Sequence, residues 1–177
     1  MTERKVIILE TADDLGIELP PRAALIRVKP PGGPDGGPEW KNLLDVTITD
    51  GTYSEDTVKS FKADFRNRHA TFITREKAET LITFISDKLF EGVSTFYVLG
   101  DTGPGVSAAI SRYLVEYHRC ECEQDTSIYN PTVFRLLIEP DAFEPMIQQY
   151  DNESEPTTVT ASDKLIDLLL VFFGIRK

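Results

Sequence analysis

A short segment of small residues joins an apolar run to an apolar helix and has the pattern of an anion-binding loop. The run ends at Leu99, the sequence GDTGPG follows from Gly100, and a predicted helix opens at Ser107. In this order, backbone N–H groups and the helix dipole converge on one point where a phosphate can bind. The glycines permit close approach and positive φ, and we expect Ser107 at or near the N-cap. The same spacing also suits a plain tight turn.

Two common phosphate motifs are excluded. No Gly-Lys-Ser/Thr follows the loop, so it is not a Walker A motif. Its G-x-x-G-x-G spacing differs from the dinucleotide fingerprint, and it lies far from the first predicted strand.

The loop resembles the phosphate-binding loop of the cysteine-dependent protein tyrosine and dual-specificity phosphatases. Their pattern is cysteine, two residues, glycine, two residues, arginine, then serine or threonine before an apolar helix. Gly103 falls on the family glycine and Ser107 on the family serine, followed by SAAISRYL. Gly100 stands at the position of the nucleophilic cysteine and Val106 at that of the phosphate-clamping arginine. The resemblance is closest to short phosphatase-like proteins of bacteria and their phages.

Further segments of that family pattern occur here in the same order, covering roughly 6–138. They are Ala24–Ile26 before a Pro/Gly loop, Asp50 at the end of a strand, a helix over Thr74–Leu89, and Tyr129–Leu137. In the family, an aspartate on the loop after that strand is the general acid, and Asp50 is its match. By itself, Asp50-Gly51 is equally typical of a turn.

The resemblance implies binding without catalysis. Thiolate attack on phosphorus needs the cysteine, and the arginine clamps the phosphoryl oxygens, so losing both removes the chemistry. We expect no catalytic residue, no cofactor and no metal. The expected ligand is a phosphorylated small molecule, of nucleotide type, and a phage-borne protein of this kind could sequester a host immune signal.

The candidate ligand-binding residues come from the loop, the aspartate and possible compensating cations. They are Gly100, Asp101, Thr102, Gly103, Gly105, Val106, Ser107, Asp50, Arg66, Arg68, His69, Tyr129, Asn130 and Arg135. The basic segment 58–77 carries several of these cations, although it also suits an ordinary solvated helix face. Tyr97, Tyr129, Phe134 and Trp40 could stack on a base or belong to the core.

The elements that must position these residues follow from periodicity. Strands are predicted at Lys5–Glu10, Ala24–Val28, Leu43–Thr49 and up to Leu99, with 52–71 ambiguous. Helices are predicted at Thr74–Leu89 with Thr74 as N-cap, at Ser107–Tyr117, and from near Pro131. The alternation predicts an α/β, phosphatase-like three-layer domain with a mostly parallel central sheet flanked by helices.

Composition bounds the function classes. The chain has 177 residues, 41% of them hydrophobic, and a formal charge of −10, which argues against general nucleic-acid binding. Cys120 and Cys122 are too close for an easy disulfide and have no zinc-type spacing around them; acidic neighbours should raise their pKa. With no signal-peptide pattern and no transmembrane run, the expected location is cytoplasmic, or host cytoplasm if phage-encoded.

Three regions are predicted: an α/β domain over 1–149, a polar linker over 150–161, and an apolar helix over 162–177. The last could dock on its own domain, form a homo-oligomer contact, or lie on a membrane surface. The alternative functions are an interaction or oligomerisation module with a vestigial cleft, and an enzyme of different chemistry using Asp50, His69 or His118.

Overall fold

The computed structural model describes residues 3–10, 20–33, 41–101 and 103–154. The four strands are β1 (Lys5–Leu9), β2 (Ala23–Lys29), β3 (Leu43–Thr47) and β4 (Thr95–Gly100). The helices are α1 (Glu55–Phe61), a 3₁₀ turn (Lys62–Asp64), α2 (Phe65–Arg68), α3 (Arg75–Phe90), α4 (Pro104–His118), α5 (Pro131–Ile138) and α6 (Glu144–Ser154). The ambiguous segment 52–71 is therefore mostly helical.

The strands form one sheet in which every pair is parallel. Their spatial order is β1-β4-β2-β3, so β4, the last strand in sequence, lies between β1 and β2. Tyr97 of β4 is in register with Ile7 on one side and Leu25 on the other. The prediction of an α/β domain with a parallel central sheet flanked by helices is confirmed.

One face of the sheet is buried against the helices, and the other carries a smaller cluster of buried and half-buried apolar side chains. Phe96 and Val98 face the main core, which includes the apolar sides of α3 and α4. Leu99 points to the opposite face and packs with Leu9 and Leu25 in a second apolar cluster. Because side chains alternate along a strand, adjacent residues of β4 supply the two clusters.

The second face also carries an ion cluster. Arg27 donates two hydrogen bonds to the carboxylate of Asp45, of 2.8 and 2.6 Å, and the Lys29 ammonium lies 3.1 Å from the same carboxylate. The hydrogen bonds from Arg27 are the main reason that the pKa of Asp45 lies below its ordinary value. Folding therefore stabilises the charged form of Asp45.

Several helix boundaries agree with their sequence signals. Thr74 caps α3 by accepting a hydrogen bond from the Lys77 N–H, and Asn130 caps α5 ahead of Pro131. Residues 150–154 belong to α6, so this part of the predicted linker is helical. The remainder of that linker, the predicted helix 162–177 and the end of the Pro/Gly loop at 34–40 lie outside the described residues. Within the described ranges, none of the helices combines the length and apolarity needed to span a bilayer.

Candidate functional site

The glycine-rich loop lies at the carboxyl end of β4, in the middle of the sheet, where parallel α/β sheets usually bind ligands. The N–H of Asp101 donates to the carbonyl of Val28 (3.0 Å), which ties the loop to β2. Gly103 then turns the chain with φ +128° and is the N-cap of α4, and Pro104 is its first residue. Thr102 is outside the described residues.

The predicted place of Ser107 at the helix cap is wrong. The turn at Gly103 starts α4 three residues earlier than expected, so Ser107 lies inside the helix and is only 2% exposed. Val106 is also fully buried, which means that its side chain packs in the core and does not face a ligand.

Ser107 fills the space in which a side chain at position 100 would lie. A Cβ added to Gly100 would be 2.0 Å from the Oγ of Ser107, and 3.3 Å from both the Gly103 carbonyl oxygen and the Ser107 Cβ. A cysteine cannot replace Gly100 in this geometry unless Ser107 moves. The Ser107 hydroxyl has no hydrogen-bond partner among the residues that the structure describes.

Asp50 approaches the loop from β3, two strands away. A Cβ added to Gly103 would be 2.7 Å from the Oδ2 of Asp50, and one added to Gly105 would be 2.9 Å from the same atom. The carboxylate therefore lies against both glycines, at the N-terminal end of α4. Because unpaired N–H groups give this end a partial positive charge, a carboxylate is stabilised there.

Asn130 holds this arrangement from the other side. Its Nδ2 donates to the Oδ1 of Asp50 (2.8 Å) and to the carbonyl of Gly51 (3.1 Å). Its backbone N–H donates to the carbonyl of Gly105 (2.9 Å), and its Oδ1 accepts from the first N–H groups of α5. The structure thus brings together the predicted residues Asp50, Asn130 and the glycines of the loop.

A cleft of about 610 Å³ opens beside this arrangement. Its wall includes Gly100, Gly103, Pro104, Ser107, Ala108, Ile8, Leu9, Glu10, Gln124, Asp125 and Ile128. Among these described residues two are acidic and none is basic. The sequence analysis did not predict Glu10, Asp125 or Ile128 at this cleft. Glu10 could have been expected there, because it follows β1, and β1 lies beside β4 in the sheet.

The predicted compensating cations do not border the cleft. Arg66 binds Asp151 (2.7 Å) and Glu144 near the start of α6, and Arg68 binds Asp64 (2.7 Å). His69 is stacked on Phe65 with ring centroids 4.5 Å apart. Arg135 lies over the ring of Phe143 (4.7 Å from its centroid) and 3.5 Å from Glu55. Acids of α1, the 3₁₀ turn and α6, together with aromatic rings, are therefore the partners of these cations.

The candidate stacking residues also have other contacts. The guanidinium of Arg112 lies 4.3 Å from the Tyr129 ring centroid and 5.2 Å from that of Phe134. Tyr97 is half-buried on the second face of the sheet. Trp40 is outside the described residues.

The remaining nucleophiles and bases lie elsewhere. Burial raises the pKa of the Cys120 thiol to about 11, and burial is also the main reason that the pKa of Cys122 is raised. The expected effect on both thiols is found, with burial in place of acidic neighbours as the main cause. His118 ends α4 on the far edge of the sheet, and its pKa is lowered by burial and by the charge of Arg4.

Within the described part of the chain, no three His, Cys, Asp or Glu side chains are grouped so that they could hold a metal ion. No family model, no curated protein and no solved structure matches the chain. Any functional conclusion therefore depends on the geometry of the site.

Proposed function

We propose that this protein binds a phosphorylated small molecule without cleaving it, with the phosphoryl group at the N-terminus of α4. The observation that carries the proposal is the position of Asp50. An anion, the carboxylate of this side chain, already lies against Gly103 and Gly105 at the place where the loop would hold a phosphate. Asp50 is exposed, so its side chain can leave when another anion arrives.

The Ser107 hydroxyl supports the same site. It belongs to a buried residue, lines the cleft and has no partner among the described residues, so it can donate to a phosphoryl oxygen. The apolar wall and the carboxylates of Glu10 and Asp125 would face the remainder of the ligand. A planar body with amino groups, such as a nucleobase, has the hydrogen-bond donors that these carboxylates accept.

The absence of catalysis is part of the proposal. Position 100 has no nucleophile, and the hydroxyl of Ser107 occupies the space for one. Position 106 has a buried valine in place of a cation. A phosphoryl group bound here would meet neither a thiolate nor a guanidinium clamp.

The test compares wild type with Asp50→Ala, using AMP and inorganic phosphate as probes. Without the Asp50 carboxylate, no side-chain anion competes with the phosphate for the N-terminus of α4 or repels it. We therefore expect AMP to bind at least ten times more tightly to Asp50→Ala than to wild type. Amide shifts of Gly103 and Gly105 in ¹⁵N NMR spectra locate the site. Asp87→Ala, which removes an exposed carboxylate from α3, is the matched control and should leave the affinity unchanged.

A second outcome would favour the other function. If neither probe shifts these amides in wild type or in Asp50→Ala, even at millimolar concentration, the phosphate site is refuted. The cleft would then be vestigial, with Asp50 serving only to stabilise α4, and the protein would be better explained as an interaction module.

A further inference from the structure

A second and larger cleft, of about 770 Å³, lies at the opposite end of the strands from the glycine-rich loop. Here the strands begin and the long helices end: Arg4 precedes β1, Arg22 precedes β2, and Arg119 follows α4. All three arginines border the cleft, together with Tyr117 and His118 from the last turn of α4. None of the proposed phosphate-site residues takes part in it.

The structure shows no acidic partner for these arginines among the residues that it describes. Arg4 donates one hydrogen bond, to the carbonyl of His118 (3.3 Å), which helps to satisfy the end of α4. The side chains of Arg22 and Arg119 have no hydrogen bond or ion pair within the described ranges. In a chain with a formal charge of −10, two such guanidinium groups beside one cleft need an explanation.

The carboxylates of the cleft do not supply it. Three glutamates border it, but Glu3 lies 3.9 Å from the ammonium of Lys5, and Glu91 lies 2.7 Å from that of Lys88. Neither lysine belongs to the wall of the cleft. Two of the three glutamates are therefore neutralised by lysines that lie outside the cleft. The three arginines then give the cleft an excess of positive charge.

The backbone at these arginines is unusual. Arg22 has φ +65° and Arg119 has φ +56°, and three non-glycine residues in the described part of the chain have positive φ. This conformation favours glycine, and a glycine after α4 would be the ordinary way to end the helix. The chain instead has a long cationic side chain at both places, and both border the same cleft.

An aromatic surface completes the cleft. Tyr117 is 51% exposed, and its ring is stacked on that of Tyr113 with centroids 5.2 Å apart. The Nε2 of His118 is buried without a hydrogen-bond partner among the described residues. A stacked, half-exposed aromatic ring beside guanidinium groups that have no acidic partner among the described residues suits a ligand that is both planar and anionic.

We propose that this cleft binds a phosphate ester that carries a planar ring, with the phosphate on Arg22 and Arg119 and the ring against Tyr117. Guanidinium groups bind phosphate through paired, charge-assisted hydrogen bonds, and two of them match its double negative charge. The site is independent of the one at the N-terminus of α4, so either can exist without the other.

The experiment titrates the full chain with phenyl phosphate and follows the affinity by calorimetry and the amide shifts by NMR. The decisive variants are Arg22→Gly and Arg119→Gly. Glycine suits both backbone conformations, so each variant should unfold at the same temperature as wild type or higher. Each should bind phenyl phosphate at least ten times more weakly, because a charge-assisted contact is lost. A loss of binding combined with unchanged or greater thermal stability cannot be attributed to a damaged fold.

Controls separate this site from the other one. Arg112→Gln removes an arginine of α4 that lies over Tyr129 and Phe134 and does not border this cleft, so the affinity should be unchanged. Tyr117→Ala should weaken the binding of phenyl phosphate but not that of inorganic phosphate. Asp50→Ala should have no effect on this cleft. The proposal is overturned if saturating phenyl phosphate shifts no amide around the cleft, or if both glycine variants bind as wild type does. Binding that responds to Asp50→Ala and not to the arginine variants would assign the ligand to the N-terminus of α4.

Discussion

Replacing Gly100 by alanine should destabilise the protein through one identifiable contact. The added Cβ would lie 2.0 Å from the Oγ of Ser107, about 1.4 Å short of the 3.4 Å at which ordinary contact begins. Ser107 lies in α4 beside the cleft, so its hydroxyl can relieve this contact only by leaving its present rotamer. Overpacking of this kind costs about 1–3 kcal/mol, partly offset by the lower chain entropy of alanine in the unfolded state. We expect the free energy of unfolding of Gly100→Ala to fall by about 1–2 kcal/mol, and Tm by roughly 2–8 °C.

The second substitution in the test is Ser107→Ala, which removes the clashing atom. The nearest remaining atoms to the new Cβ are then 3.3 Å away, which small shifts accommodate. Ser107→Ala alone should change stability by less than about 0.5 kcal/mol, because its hydroxyl has no partner among the described residues. Urea unfolding of the four proteins gives a coupling energy, expected to be about 1 kcal/mol in favour of the double variant. If Gly100→Ala is as stable as wild type, or if Ser107→Ala does not rescue it, the explanation that Ser107 fills the space beside position 100 is wrong.

Three further predictions concern stability measured by urea unfolding. Asp45→Asn should cost roughly 1 kcal/mol at pH 7 and less at pH 3, because Arg27 lowers the pKa of Asp45 and its contribution disappears as pH falls below the unfolded value near 3.9; an equal cost at both pH values would contradict this. Asn130→Ala should cost about 2 kcal/mol at pH 7, because it removes the cap of α5 and the hydrogen bond to the Asp50 carboxylate, and a cost below about 0.5 kcal/mol would contradict this. His118→Gln should lose less stability than wild type as pH falls below about 6.5. The pKa of His118 is lowered in the folded protein, so below that pH the unfolded wild-type chain binds a proton more readily than the folded one. Parallel pH profiles of the two proteins would contradict this.

The fold was predictable because its signals are local. The apolar runs of β1, β2 and β4 and the helical spacing of α3 each identify an element without reference to the rest of the chain. Thr74 marks a helix start because its hydroxyl can cap one of the first N–H groups. Pro131 marks another because the first residues of a helix do not need their N–H groups for helical hydrogen bonds. Parallel pairing then follows from the alternation of strands and helices.

The candidate site was predictable only in part, since its details depend on contacts between distant segments. The loop, Asp50 and Asn130 were expected and do meet. The position of Ser107 depends on the φ angle of Gly103, which spacing does not specify. Arg66 was expected near the loop, but Glu144 and Asp151, about 80 residues later, bind it instead. Ion pairs between residues this far apart in the sequence carry no periodic signal in a single sequence.

The central place of β4 has a consequence for how the chain reaches its native state. β2 and β3 can pair as soon as the first 47 residues are available, but β1 finds its strand partner in β4 and makes a further bridge to Glu121, later still in the chain. During synthesis, β1 and one edge of β2 must wait for some fifty further residues with their backbone groups unpaired. Pairing between strands that are far apart in the sequence slows folding. Until it is complete, the unpaired strand edges can form hydrogen bonds with other chains. Chains truncated before Thr95 should therefore associate, while chains that extend past Gly100 can close the sheet around its last strand.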